Sequence, residues 1–176
     1  GFDRIKINSV ILKHRNHPEI ERLLEFAIKH HIDISYIENM PLGVSEEELN
    51  HSGSYYSSDE ILSDLQKNYD MLPTTEQTAG PAKYFRLTEH PQTRVGFISP
   101  HSHNFCESCN RVRLTAEGRL LLCLGQEHSV DLKQVIRAHP GDADALNRAI
   151  IKSLDIKPKG HDFNIHSHEV LLRHMN

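Results

Sequence analysis

The order of secondary-structure patterns in residues 4–38 constrains the fold more than any other feature of this sequence. The stretch RIKINSVIL (Arg4–Leu12) alternates and then turns fully apolar, which is typical of a buried strand. Asn16 and Pro18 mark a helix start, and the apolar residues after them share one helical stripe: Ile20, Leu23, Leu24, Ala27 and Ile28. A second strand is predicted over Asp33–Glu38. Such a strand–helix–strand unit builds parallel sheets and barrels, in which function gathers at the carboxyl ends of the strands.

The sequence changes character after residue 72. Val44–Tyr56 is polar and predicts a surface loop, and Ser57 with Glu60 forms the capping box of a second helix. The connector over residues 73–81 is rich in threonine, glycine and proline, which favours a domain boundary there. We therefore expect two domains, 1–72 and 73–176.

The second predicted domain is a small α+β domain. KYFRLT, TRVGFIS, RVRLT and RLLLCL predict short strands at close spacing, which favours antiparallel pairing. Two helices follow, Val130–Ala138 capped by Ser129 and Ala143–Leu154 capped by Asp142.

Composition and charge exclude several classes of protein. The formal net charge of −4 argues against a general nucleic-acid binder, which is normally basic. The longest apolar run, Leu120–Leu124, is far too short to cross a membrane, and the first ten residues contain no apolar leader segment. Three cysteines are an odd count and do not indicate a secreted disulfide framework, so we expect a cytoplasmic protein with reduced thiols.

All three cysteines lie in one short segment with arginines between them. Cys106 and Cys109 form a C-x2-C pair, and Cys123 follows after thirteen residues. A hairpin with a three-residue loop ending at Gly118 would pair Thr115 with Arg119, Arg113 with Leu121 and Arg111 with Cys123. Strand alternation then puts Cys123, Arg111 and Arg113 on one face. The opposite face, pointing to the core, would carry Val112, Leu114, Leu120 and Leu122.

This arrangement predicts a metal centre beside an anion-binding wall, because guanidinium groups suit bidentate binding of phosphate. Spacing leaves open two metals and also a segment that binds no metal. Zinc would take the three thiolates and one of His101, His103 or His128 as the fourth ligand. A [4Fe–4S] cluster would take the three thiolates and keep one iron open for a substrate.

Four stretches carry a resemblance to a known family: IKINSV, YIENMPLG, GPAKYFRL and VGFISPHSHNFCESCNRVRLTAEGRLLLCLG. They resemble, in order and through nearly the whole chain, the molybdenum cofactor biosynthesis protein A family of radical S-adenosylmethionine enzymes, the GTP 3′,8-cyclases. The resemblance implies an α/β fold: the C-terminal part of an incomplete (β/α) TIM-like barrel over 1–72, then an α+β domain with a [4Fe–4S] cluster and a GTP site over 73–176.

The resemblance also implies roles for individual residues. Cys106, Cys109 and Cys123 match the ligands of the family's C-terminal [4Fe–4S] cluster, whose open iron binds the base of GTP. Lys6, Arg111, Val112 and Arg113 match residues that contact GTP, and Met40 matches a methionine that packs on S-adenosylmethionine.

The chain also departs from the family pattern. It has no C-x3-C-x2-C motif for the N-terminal cluster that cleaves S-adenosylmethionine, and it begins where the family's late barrel strands begin. We therefore expect a carboxyl-terminal portion that is inactive alone and that forms homodimers where the missing half of the barrel is not supplied. Ser35 stands where many members have arginine, and the family's Gly-Gly tail is absent at Met175–Asn176.

Two rival hypotheses come from other classes. One is a zinc-binding interaction module without catalysis, and the other is a sister radical enzyme with an auxiliary cluster and another substrate. The histidines at 101, 103, 161, 166, 168 and 174 could also form a second metal site, although fourteen histidines make chance clustering easy.

Overall fold

Two parallel strands, β1 (Lys6–Ile11) and β2 (Asp33–Glu38), lie side by side in the computed structural model, which describes residues 1–40, 54–78, 80–123 and 128–160. A 3-10 turn (His17–Glu19) leads into helix α1 (Ile20–Lys29), which packs on β2. The predicted strand–helix–strand unit is therefore confirmed. Asn16 does not cap the helix, because its side chain is engaged elsewhere. Its amide oxygen accepts from Leu12 N at 2.7 Å, and its amide nitrogen donates to Val10 O at 2.8 Å, so the residue links the turn to the end of β1.

The sheet also includes strands from residues after 72, which we predicted to belong to a separate domain. Strand β5 (Arg94–Ile98) pairs in parallel with β2, and β4 (Lys83–Leu87) and β3 (Met71–Pro73) extend the sheet in antiparallel fashion. The described residues thus form a five-stranded mixed sheet in the order β1-β2-β5-β4-β3. The predicted pairing of KYFRLT with TRVGFIS is confirmed, whereas β3 was not predicted.

The two faces of this sheet differ in chemistry. One face packs on α1 and on helix α2 (Ser58–Leu65), which begins at the predicted capping box of Ser57 and Glu60. The hydrophobic core lies between this face and the two helices, and both layers contribute buried side chains to it, among them Ile11, Leu24, Ala27, Ile34, Tyr36, Ile61, Leu65, Val95 and Phe97. The opposite face is polar and carries Lys6, Asp33, Ser35, Arg94 and Tyr84.

A second sheet follows, made of β6 (Arg113–Leu114), β7 (Arg119–Leu121) and β8 (Ser129–Asp131), all antiparallel. Helix α3 (Leu132–Ala138) contacts β7, and helix α4 (Ala143–Asp155) contacts β8. Asp142 caps α4 as predicted, with Ala145 N at 2.9 Å. The predicted Ser129 cap is wrong: Ser129 lies in β8, and Asp131 caps α3 by accepting from Gln134 N.

The chain divides into two compact units, with residues 1–105 in one and Cys106 opening the other. The division differs from the predicted boundary at 72/73 because β3 and β4, on either side of the connector, pair in one sheet with β5. Most of the predicted loop over Val44–Tyr56, and the histidines at 161, 166, 168 and 174, lie outside the described residues. In the described ranges, no helix has the length and apolar character needed to cross a membrane.

Candidate functional site

The C-x2-C pair opens the second unit as a tight turn. Residues Cys106–Ser108 form a 3-10 turn, and Cys109 N donates to Cys106 O at 3.1 Å. The backbone between the two cysteines therefore turns back on itself as predicted, and the expectation that both thiolates face one metal centre stays a prediction. All three cysteines, Cys123 included, are partly buried thiols outside any disulfide.

The hairpin after the C-x2-C turn has the predicted register. Thr115 N donates to Arg119 O at 2.9 Å, and Arg113 pairs with Leu121. Gly118 has a φ of +83°, and an added Cβ there would lie 2.8 Å from Lys133 Cβ, so both the turn and its packing require glycine. The paired positions end at Arg113 and Leu121, so the pairing of Arg111 with Cys123 stays a prediction.

The apolar face of the hairpin is only half buried. Leu120 and Leu122 are in the core as predicted, but Val112 and Leu114 are 41% and 65% exposed. The prediction for these two residues is wrong because β6 is an edge strand, while α3 and α4 contact the other two strands of the sheet. Val112, Arg111 and Arg113 are all exposed.

The three cysteine thiols are the candidate metal ligands of the second unit. Nowhere in the described ranges do three or more His, Cys, Asp or Glu side chains group closely enough to hold one metal ion. Zinc with His101, His103 or His128 as the fourth ligand and a [4Fe–4S] cluster on the three thiols both stay predictions.

Lys6 lies on the polar face of the first sheet, beside a buried tyrosine. Its ammonium donates to the Tyr84 hydroxyl at 3.3 Å and lies 5.9 Å from the centre of that ring. Arg94 lies 5.2 Å above the same ring and is held by Asp33, with Nη2 2.6 Å from Oδ2. Burial raises the pKa of Asp33, but hydrogen bonds from Arg4 and Arg94 outweigh it and hold that pKa below its ordinary value.

Ser35 lies between these groups in the sheet register. It is fully buried, and its hydroxyl has no hydrogen-bond partner in the part of the chain that the structure describes. Gly96 pairs with both Ser35 and Tyr84, and an added Cβ there would lie 2.5 Å from Ser35 Oγ and 2.9 Å from Tyr84 Cε1. The close approach of these side chains therefore requires glycine at position 96.

Glu38 ends β2 as a fully buried carboxylate and anchors two other segments. It accepts Ser58 N at 2.8 Å from α2 and His101 N at 2.9 Å from the segment after β5, and the Ser102 hydroxyl also donates to it. Burial raises the pKa of Glu38, but the bonds from Ser102, Ser58 and His101 outweigh it and keep that pKa low. Met40, partly buried, follows two residues later.

Comparison with known proteins matches residues 32–163 to one protein family, Molybdenum Cofactor Synthesis C, and this match covers most of the chain.

The chain belongs to the Molybdenum Cofactor Synthesis C family.

Three similar proteins are GTP 3′,8-cyclases of Pseudomonas. The chain is 56% identical over 176 residues to a GTP 3′,8-cyclase of Pseudomonas putida strain W619 and covers 52% of that protein. It is 54% identical to the GTP 3′,8-cyclase of Pseudomonas entomophila and 51% identical to that of Pseudomonas fluorescens Pf0-1, covering 52% and 53% of their lengths. In each case the whole chain is matched, so it spans about half the length of these curated relatives.

Sequence reasoning missed three residues of this Molybdenum Cofactor Synthesis C chain: Glu38, Tyr84 and Lys157. Glu38 carried a usable signal, because a carboxylate on the apolar side of a predicted buried strand must find donors. Tyr84 gave none, since its contact with Lys6 spans 78 residues. Lys157 donates to the carbonyls of Arg111 and Leu122, a contact that depends on where α4 ends.

Proposed function

We propose that this chain is the GTP-binding, second-cluster part of a GTP 3′,8-cyclase of molybdenum cofactor biosynthesis. The observation that carries the proposal is the hairpin register, which follows a C-x2-C turn and leads to a third thiol in a chain 56% identical to a protein of that name. In the whole enzyme the reaction would be a radical-initiated cyclisation of GTP.

Cys106, Cys109 and Cys123 would hold a [4Fe–4S] cluster in this unit. When bound, the cluster would supply an iron without a protein thiolate, to which the guanine base of GTP binds. Arg111 and Arg113 are exposed next to this position and would bind anionic or polar groups of GTP through their guanidinium forks. Val112 would contact the nucleotide by packing.

Lys6 would contribute a further cationic contact to GTP, with its ammonium held on Tyr84. Met40, just beyond β2, would pack on S-adenosylmethionine. Strand direction supports the role of Met40, since β1, β2 and β5 run in parallel like the strands of a (β/α) barrel and end near Glu38. Lys6 is the first residue of β1, and the polar face that it shares with Asp33 and Ser35 supports its role.

The remaining length of the relatives would supply what this chain lacks. The chain has no C-x3-C-x2-C motif, so the S-adenosylmethionine-cleaving cluster and the early barrel strands would come from the other half of the protein. The chain alone would be inactive, and β1, the terminal strand of the described sheet, would pair with a strand of that half or with a second copy of the chain.

Anaerobic reconstitution with iron and sulfide tests the proposal. We expect a brown protein that binds about four irons per chain and whose visible spectrum shifts on GTP titration. Cys123→Ser should lose the iron, whereas Arg113→Gln should keep it but bind GTP more weakly than a control, Arg137→Gln, which changes an exposed arginine of α3.

Two results would overturn the proposal. A colourless protein with one zinc and no acid-labile sulfide would indicate a zinc-binding module. A cluster that responds to another nucleotide rather than to GTP would indicate a sister enzyme with a different substrate.

A further inference from the structure

We infer that Lys157 is a positioning residue that closes the open end of the β6–β7 hairpin, next to Arg111 and Cys123. Its ammonium donates to Arg111 O at 2.9 Å and to Leu122 O at 2.5 Å, so one side chain joins the backbone on both sides of the hairpin. The effect of this clamp on metal binding rests on the proposed function.

The clamp lies where the strand ladder stops. The last paired positions of the hairpin are Arg113 and Leu121, and Leu122 N donates to His128 O at 3.0 Å, which continues the pairing of β7 with β8. The β6–β7 pairs of the sheet end two residues before Cys123. A lysine ammonium has three donors, so it can bridge two carbonyls, and charge-assisted bonds of this kind are stronger than neutral ones.

The end of helix α4 places the ammonium. Ile156 N and Lys157 N donate to Ser153 O and Leu154 O, which close the last turn of the helix just before the side chain of Lys157 leaves it. Helix α4 in turn packs on β8 and contributes Leu146, Ala149 and Ile150 to the core around Leu120 and Leu122. A well-packed helix thereby fixes the separation of the two hairpin backbones at their open end.

Without these two bonds, the backbone segments at Arg111 and Leu122 would separate more readily, and the distance of Cys123 from the C-x2-C turn would vary more. Lys157→Met keeps the aliphatic stem and removes the donors, and Lys157→Arg keeps a cation of similar reach. Lys159→Met, an exposed lysine two residues on, is the matched control.

Hydrogen exchange on the metal-free chain tests the clamp itself. Amides of residues 111–115 and 119–123 should exchange about tenfold faster in Lys157→Met than in the wild type, as expected for loss of charged hydrogen bonds. Lys159→Met should match the wild type, and Lys157→Arg should restore part of the protection. Equal protection in Lys157→Met and the wild type overturns the inference.

Chelator challenge of the iron-loaded chain tests the consequence. Lys157→Met should lose iron and sulfide severalfold faster than Lys159→Met, while the two variants share the same unfolding midpoint within error. Faster exchange with unchanged iron loss overturns the role of the clamp in holding the cluster ligand. If the wild-type chain takes up no iron at all, the proposed function fails, and hydrogen exchange alone decides whether the clamp exists.

Discussion

Glu38 and Ser102 lie 64 residues apart in sequence and meet at the end of β2, where Ser102 N donates to Glu38 Oε2 at 3.1 Å. The same carboxylate accepts from Ser58 N and His101 N. One buried charge therefore joins β2, the start of α2 and the segment that leads from β5 towards the first cysteine.

Replacing Glu38 with glutamine should lower the free energy of unfolding by about 3 kcal/mol. One carboxylate oxygen, which now accepts buried hydrogen bonds, would become an amide group that donates, and the buried donors facing it would lose their acceptor. Urea unfolding followed by circular dichroism measures the change. Glu25→Gln, on the exposed side of α1, is the control and should change stability by less than about 0.5 kcal/mol. Equal stability of the two variants would contradict the anchoring role of Glu38.

The pH dependence of stability should follow from Glu38 and Asp33, whose pKa values lie below their ordinary values of 4.5 and 3.8. A carboxyl whose pKa is lower in the folded state stabilises the fold above its unfolded pKa, and this contribution is lost as the pH falls through the folded pKa. We expect the free energy of unfolding to decrease below about pH 5. Urea titrations between neutral and acidic pH measure it, and Glu38→Gln should show a shallower decrease.

Tyr84→Phe should weaken GTP binding about threefold, because the Lys6 ammonium loses its hydroxyl partner while the ring beneath it remains. Anaerobic calorimetry on the reconstituted protein gives the affinity. The effect should vanish in a Lys6→Met background, since we expect the hydroxyl to influence GTP through that ammonium and not through its other contact, Thr78 Oγ1 at 3.3 Å. If Tyr84→Phe costs the same affinity with and without Lys6, the hydroxyl acts by another route.

Gly118 and Gly141 form a natural pair for testing the hairpin turn. Both have positive φ, +83° at Gly118 and +78° at Gly141. A Cβ added at Gly118 would contact Lys133, whereas a Cβ added at Gly141 would have no atom within 4 Å. Gly141→Ala should cost about 1 kcal/mol from backbone strain alone, and Gly118→Ala about 1 kcal/mol more from the contact. Thermal unfolding of both variants measures the difference, and equal losses would show that the turn yields easily.

Strand β1 should make the isolated chain self-associate. It ends the described sheet and exposes Val10, which is 43% accessible, beside an edge that another strand can extend. Sedimentation velocity should show dimers that increase with concentration, and Val10→Lys should reduce them. A wild-type chain that stays monomeric at high concentration would contradict this prediction.

Local features of the fold could be predicted from the sequence because short-range bonds decide them. The capping box of Ser57 and Glu60, the Asp142 cap and the hairpin turn at Gly118 each depend on residues a few positions apart. The C-x2-C turn belongs to the same class. Each of these features depends only on the type of side chain at one position and on the backbone conformations that its residue can adopt.

Long-range pairing could not be predicted in the same way. More than one segment of the chain could pair with a parallel strand such as β2. Burial of a shared apolar face selected β5 as its neighbour. The two compact units therefore meet at residue 105/106 and not at the predicted boundary of 72/73. Exposure of Val112 and Leu114 likewise depends on which strands the helices cover.

The sequence by itself determined the family, the caps at Ser57 and Asp142 and the hairpin register as far as Arg113 and Leu121, since these reside in contiguous motifs. Only the tertiary structure decided which distant groups satisfy Glu38, which hydroxyl meets Lys6 and which ammonium closes the hairpin. The physical reason is that a buried polar group must find a partner, but its chemistry does not say where along the chain that partner lies.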